Sequence, residues 1–173
     1  MSTKWLASAW PAGPWRHWLV DHGSLTRRLQ GLCSAFRVRR LRQTLGRPHL
    51  DETELLGLTR PRRALIREVL LADAETPLVF AHSVIPMESL KGPWTSLAGL
   101  GNRPLGAALF GNPRVGRHAL EFRRVDRRHP LYREAVRHLE APPSALWARR
   151  SRFTLDGHPL LVTEVFLPAT LRL

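Results

Sequence analysis

The fold is decided by the run WARRSRFTL (Trp147–Leu155), then DG (Asp156–Gly157), then HPLLVTEVFL (His158–Leu167). Both flanks alternate apolar and polar residues, as strands do when one face is covered. Asp-Gly supplies two residues that tolerate positive φ, which a type I′ turn requires at both central positions. A two-residue turn fixes the register. Leu155 then faces His158, Phe153 faces Leu160, Ser151 faces Val162, Arg149 faces Glu164, and Trp147 faces Phe166. One coherent inner face results, with an Arg149–Glu164 pair inside it.

Working outward, a second hairpin is expected from Arg63–Ala72 and Leu78–Ile85, joined by the turn formers Asp73 to Pro77. Phe36–Leu45 alternates basic and apolar residues like an exposed strand, and Arg117–Arg127 reads as another. Trp15 to Leu32 reads as one helix, or as two broken at Gly23 with Ser24 capping the second piece. His49 to Pro61 is a polar connection. Met87 to Phe110 is helical in pieces, interrupted at Gly92-Pro93, Gly101-Asn102 and Pro104, and Tyr132–Leu139 is a short surface helix. Hairpins with helices clustered between them make an α+β domain, and 173 residues suit one domain spanning 1–173.

The net charge of +13 invites weak binding to nucleic acid or anionic lipid. Its arginines run from Arg16 to Arg172 without a basic tail, and no zinc-finger, RNP-type or recognition-helix pattern accompanies them, so no specific nucleic-acid partner is expected. The lone Cys33 allows no internal disulfide and suits a reducing cytoplasm. Pro11, Gly13, Pro14, Arg16 and His17 interrupt the apolar N-terminus before it reaches the length of a signal peptide. A soluble, cytoplasmic chain is expected. GxxxxGK[ST], GxGxxG and GxSxG are absent, which excludes the usual nucleotide-binding and hydrolase routes. The eight histidines never fall in HxH or HExxH spacing, so no catalytic metal is expected.

Two charges stand on apolar faces. Leu65, Arg67, Val69 and Leu71 share one side of their strand; Leu160, Val162, Glu164 and Phe166 share one side of theirs. A buried charge costs several kcal/mol unless a partner or ligand compensates it. The opposite side of the first strand carries Ala64, Ile66, Glu68 and Leu70, so alternation alone leaves its inward face open. Arg149–Glu164 reads equally as a structural ion pair or as part of a site for a ligand with a hydroxyl and a carboxylate.

Five segments in order carry a resemblance: GSLT at Gly23–Thr26, IREVLL at Ile66–Leu71, RPLG at Arg103–Gly106, LWARRSRF at Leu146–Phe153 and PLLVTEVFLP at Pro159–Pro168. Together they resemble the bacterial chorismate–pyruvate lyase family. The resemblance implies a single antiparallel sheet whose helical flaps cover an enclosed ligand site. It also implies conversion of chorismate to 4-hydroxybenzoate and pyruvate, the first committed step of ubiquinone biosynthesis, without metal or cofactor. It places Leu25, Arg67, Leu105 and Glu164 at the ligand: Arg67 on the ring carboxylate, Glu164 by the ring hydroxyl, the two leucines on the ring. Arg149, which the hairpin register sets opposite Glu164, is the candidate to support it from behind. His82 departs from the arginine expected in the family, which touches any second ligand position or exit path served by that arginine. A monomer is expected, with weak association to anionic membrane surfaces compatible with the charge. The competing reading is a non-enzymatic sensor domain of the same fold. Such domains usually follow a helix-turn-helix, and the segment before Arg63 is too short and too poorly patterned to supply one.

Overall fold

A computed structural model describes residues 4–58 and 62–173. Seven strands share one antiparallel sheet: β1 (Phe36–Gly46), β2 (Ala64–Asp73), β3 (Thr76–Pro86), β4 (Gly116–Arg117), β5 (Glu121–Asp126), β6 (Ala145–Leu155) and β7 (His158–Phe166). They run in the order β1-β2-β3-β7-β6, with β4 and β5 both pairing β6 on the far edge. The helices are α1 (Arg16–Leu19), α2 (Leu25–Leu32), α3 (Leu50–Thr53), α4 (Met87–Lys91), α5 (Leu105–Phe110) and α6 (Pro130–Val136), with short 3-10 turns at Trp10–Trp15, Thr95–Gly99 and Pro168–Arg172. The α+β architecture read from the sequence is therefore the observed one.

The decisive hairpin has the expected register, Arg149 opposite Glu164 and Trp147 opposite Phe166. Asp156 and Gly157 both take positive φ, 50° and 79°. The β2–β3 connection is tighter than its turn formers suggest. Asp73 pairs Thr76, so only Ala74 and Glu75 make the turn, with Ala74 at φ 49°. The strand expected over Arg117–Arg127 is broken: β4 meets Phe153 and Thr154, and β5 meets Ala145 to Arg150. Trp15–Leu32 divides into α1 and α2, and Ser24 Oγ accepts from Arg27 N at 3.3 Å as the N-cap of α2. The polar connection beginning at His49 contains α3, and its residues Thr59 to Pro61 lie outside those described. The helix expected at Tyr132–Leu139 starts earlier, at Pro130, and ends at Val136.

Alternation gives the sheet two apolar faces, both covered, and each core is divided in two. On the front, Trp18, Leu19, Leu29, Val79 and Phe166 form one cluster, while Ile85, Trp94, Leu97, Phe153 and Leu160 form another. On the back, Leu70, Phe80, Val125, Leu131 and Val165 stand apart from Ala64, Ile66, Val84 and Leu161. A cavity separates the two front clusters. A polar row separates the two back ones.

Candidate active site

The cavity lies between the two front clusters and is lined by both apolar and charged side chains. Its floor is the front of the sheet: Arg67 and Val69 from β2, Ala81 and Ser83 from β3, Val162 and Glu164 from β7, Arg149 and Ser151 from β6. Its roof is the first turn of α2 and the first turn of α5. These two turns approach closely. A Cβ at Gly106 would lie 3.1 Å from Ser24 Oγ and 3.3 Å from Thr26 Oγ1, so glycine allows the seam to shut.

Arg67 is 2% exposed, and no acidic side chain pairs with it among the described residues. Its Nη2 donates to the carbonyls of Gly101 and Arg103, at 3.1 and 2.9 Å, and its Nε has no partner. Burial first, and then the Arg40 charge, push its pKa down to about 10, which leaves it cationic at neutral pH. A buried cation held only by neutral carbonyls is under-compensated. It sits ready for an anion.

Glu164 lies two strands away, across about 10 Å of sheet. Arg149 Nε donates to its Oε2 at 2.5 Å, and Oε1 takes no hydrogen bond from the described residues. Arg149 is also tied to the backbone. Its Nη1 donates to the carbonyls of Trp18, Leu19 and Asp21, at 3.0, 3.3 and 2.6 Å. It thus closes the C-terminal end of α1, where exposed carbonyls favour a cation. Arg149 lines the cavity as well, and these contacts hold it against Glu164 and the end of α1.

Leu25 and Leu105 are the first residues of α2 and α5, both buried at the roof of the cavity. All four ligand positions implied by the resemblance therefore line one space, with Arg149 beside Glu164. His82 does not. Its side chain lies on the back of the sheet, where Nδ1 is 3.0 Å from Glu68 Oε1 and Nε2 is 3.2 Å from Glu52 Oε1. Arg117, absent from the expected set, also lines the cavity. Its guanidinium lies over the rings of Phe110 and Phe153, and Nη1 donates to the His22 carbonyl at 2.6 Å. Burial, and after it the charge of Arg149, lower its pKa. Among 27 lysines and arginines, alternation could not single it out, because β4 is only two residues long.

The chorismate lyase family model matches residues 6–172, nearly the whole chain. This chain belongs to the chorismate lyase family. Several chorismate lyases of the same kind match over most of their length. A protein of Thiobacillus denitrificans is 54% identical over 168 residues, 96% of this chain and 90% of its own. One from Aromatoleum aromaticum is 52% identical over 161 residues, and one from Methylobacillus flagellatus 42% over 173, covering 100% of this chain. Each carries the name "Probable chorismate pyruvate-lyase". Solved structures similar to this lyase-family fold include the effector domain of PhnF from Mycobacterium smegmatis, with TM-score 0.61 and 12% identity, covering 87% of this chain and 91% of that one. A GntR-family regulator from Bacillus cereus aligns with TM-score 0.58 and 15% identity, over 79% of this chain and 94% of its own. At such identities the likeness is one of fold alone.

Proposed function

We propose that the chain is a chorismate–pyruvate lyase that converts chorismate to 4-hydroxybenzoate and pyruvate. The observation that carries this reading is Arg67, a buried charge without a carboxylate partner, at one end of an apolar cavity whose other end holds Glu164. An aromatic acid with a para hydroxyl matches that polarity. Its carboxylate meets the Arg67 guanidinium, which keeps N–H donors beyond the two that Nη2 gives to Gly101 and Arg103. Its hydroxyl meets Glu164 Oε1, and its ring lies under Leu25 and Leu105. Chorismate carries a second carboxylate on the enolpyruvyl ether, and Arg117 is the remaining cavity cation that suits it.

The reaction breaks the C3–oxygen bond and loses the C4 hydrogen, giving an aromatic ring. Aromatisation drives it, so orientation and fixed charges supply the acceleration, and no cofactor is required of the protein. Glu164 accepts the C4 hydroxyl hydrogen bond and is placed to act as base at C4. Arg149 keeps its carboxylate aimed, and the closed seam over the cavity excludes water and slows product release. The lyase acts in the cytoplasm as a monomer of one domain spanning 1–173, in the first committed step of ubiquinone biosynthesis. Its +13 surface gives weak attraction to anionic membranes and no specific nucleic-acid partner. No helix among the described residues is long and apolar enough to cross a membrane.

Purified chain mixed with chorismate tests this: equimolar 4-hydroxybenzoate and pyruvate are expected. The fold's likeness to regulator effector domains favours one second reading, a sensor using the same pocket. Binding of 4-hydroxybenzoate without turnover by folded protein would select it.

A further inference from the structure

Behind the cavity, a polar row crosses the back of the sheet. Arg42 pairs with Glu68, Glu68 with His82, His82 with Thr163, and Thr163 with Arg150. The turn before α3 and α3 itself pack on this row, bringing His49 and the 2% exposed Glu52 against the 1% exposed His82. Arg150 anchors α3 there, donating to the Asp51 carbonyl at 2.8 Å. Spacing in the chain gives no sign of this cluster, because His82 comes from β3, well after the α3 segment.

Four buried polar atoms in this place have no hydrogen-bond partner among the described residues: His49 Nδ1, Glu52 Oε1, His82 Nε2 and Thr163 Oγ1. Buried polar atoms are almost always satisfied, so a group of them marks a missing water or ion. The first three lie within 4.8 Å of one another. Glu52 Oε1 is 3.2 Å from His82 Nε2 and 3.5 Å from His49 Nδ1, close contacts that nevertheless lack the alignment of hydrogen bonds. Those separations bracket ~3.3 Å, the edge of a tetrahedron around an ion with bonds of 2.0–2.1 Å.

The surroundings suit such an ion. A histidine that binds metal through one nitrogen usually gives its other N–H to a carboxylate. His82 Nδ1 is 3.0 Å from Glu68 Oε1, and Arg42 Nε holds Glu68 Oε2 at 2.9 Å. The second oxygen of Glu52 is likewise occupied, accepting from His49 N at 2.8 Å, which turns Oε1 toward the two rings. We propose that His49 Nδ1, Glu52 Oε1 and His82 Nε2 form a site for a zinc-class divalent cation on the sheet face opposite the cavity. Two imidazoles and one carboxylate are borderline ligands that favour zinc or cobalt over magnesium or calcium. Three protein ligands leave a fourth position for water, with Thr163 Oγ1 available on the same face. The ion ties α3 to β3 and has no part in the reaction.

Tag-free, chelator-treated full chain titrated with Co²⁺, and then with Zn²⁺ in competition, tests the site. The expected result is one saturable equivalent per chain, visible as tetrahedral cobalt absorption bands that zinc abolishes, with a metal-dependent rise in Tm. His49→Ala, a change at a partly exposed side chain, removes the bands and the Tm rise. Glu68→Gln, at the residue behind His82, weakens the affinity about 10–100-fold. An imidazolium held by its two carboxylates, with no ion, would show no saturable cobalt or zinc binding, and that result overturns the proposal. Binding of full affinity in His49→Ala and Glu52→Gln would overturn it as well.

Discussion

Replacing Arg149 with Met removes one side chain that holds both the Glu164 carboxylate and a helix end. The guanidinium makes four hydrogen bonds: one to Glu164 Oε2 and three to the carbonyls of Trp18, Leu19 and Asp21. Methionine fills much of the same volume, so loss of packing is small and the change is mainly electrostatic. Glu164 is left without its countercharge, and the α1 carbonyls lose their donor. Breaking a buried ion pair from one side costs about 3–5 kcal/mol. Glu164 keeps 17% side-chain exposure, and partial hydration of its carboxylate places the expected loss near the lower end, about 3 kcal/mol. Urea unfolding followed by tryptophan fluorescence reads this directly. With a slope of about 2 kcal/mol per M, the midpoint falls by about 1.5 M. The exposed pair Arg37–Glu75 serves as the control, and Arg37→Ala shifts the midpoint by about 0.3 M or less. A loss below about 1 kcal/mol in Arg149→Met would refute the clamp.

Arg67→Met is expected to leave stability unchanged or raised, since it removes an under-compensated buried cation, while 4-hydroxybenzoate affinity falls about 30–150-fold by calorimetry. A variant that unfolds easily yet binds normally would contradict the carboxylate seat. Glu164→Gln keeps the side-chain length and removes the carboxylate, so under the proposed base role turnover of chorismate drops about 10²–10⁴-fold; near-normal turnover would exclude that role. Gly106→Ala puts a methyl 3.1 Å from Ser24 Oγ and forces the α2–α5 seam apart. Faster release of 4-hydroxybenzoate in stopped-flow displacement is expected, and an unchanged off-rate would count against the seam as the barrier.

Much of this was legible because strands have a period of two. Alternation alone put Arg67 and Glu164 among apolar neighbours, and Asp156-Gly157 set the register that pairs Arg149 with Glu164. The open question of which β2 face points inward had no answer in pattern, because both faces are buried: Arg67 meets the cavity and Glu68 the polar row behind it. Leu25 and Leu105 were visible only through family resemblance, since a leucine that begins a short helix over a cavity looks like any packed leucine. Arg117 was hidden among many arginines on a two-residue strand. The His49–Glu52–His82 cluster stayed hidden for a topological reason: α3, read as polar connection, folds back over β3 to assemble it. Burial of Glu52 is set by that long-range packing and not by its own neighbours in the chain.

The most direct test of the account is the crystal structure of the chain with 4-hydroxybenzoate. It predicts one molecule in the front cavity, its carboxylate on the Arg67 guanidinium and its hydroxyl within hydrogen-bond distance of Glu164, with the ring beneath Leu25 and Leu105. A ligand bound in the reverse orientation, or bound elsewhere with the cavity left as it is, would contradict it.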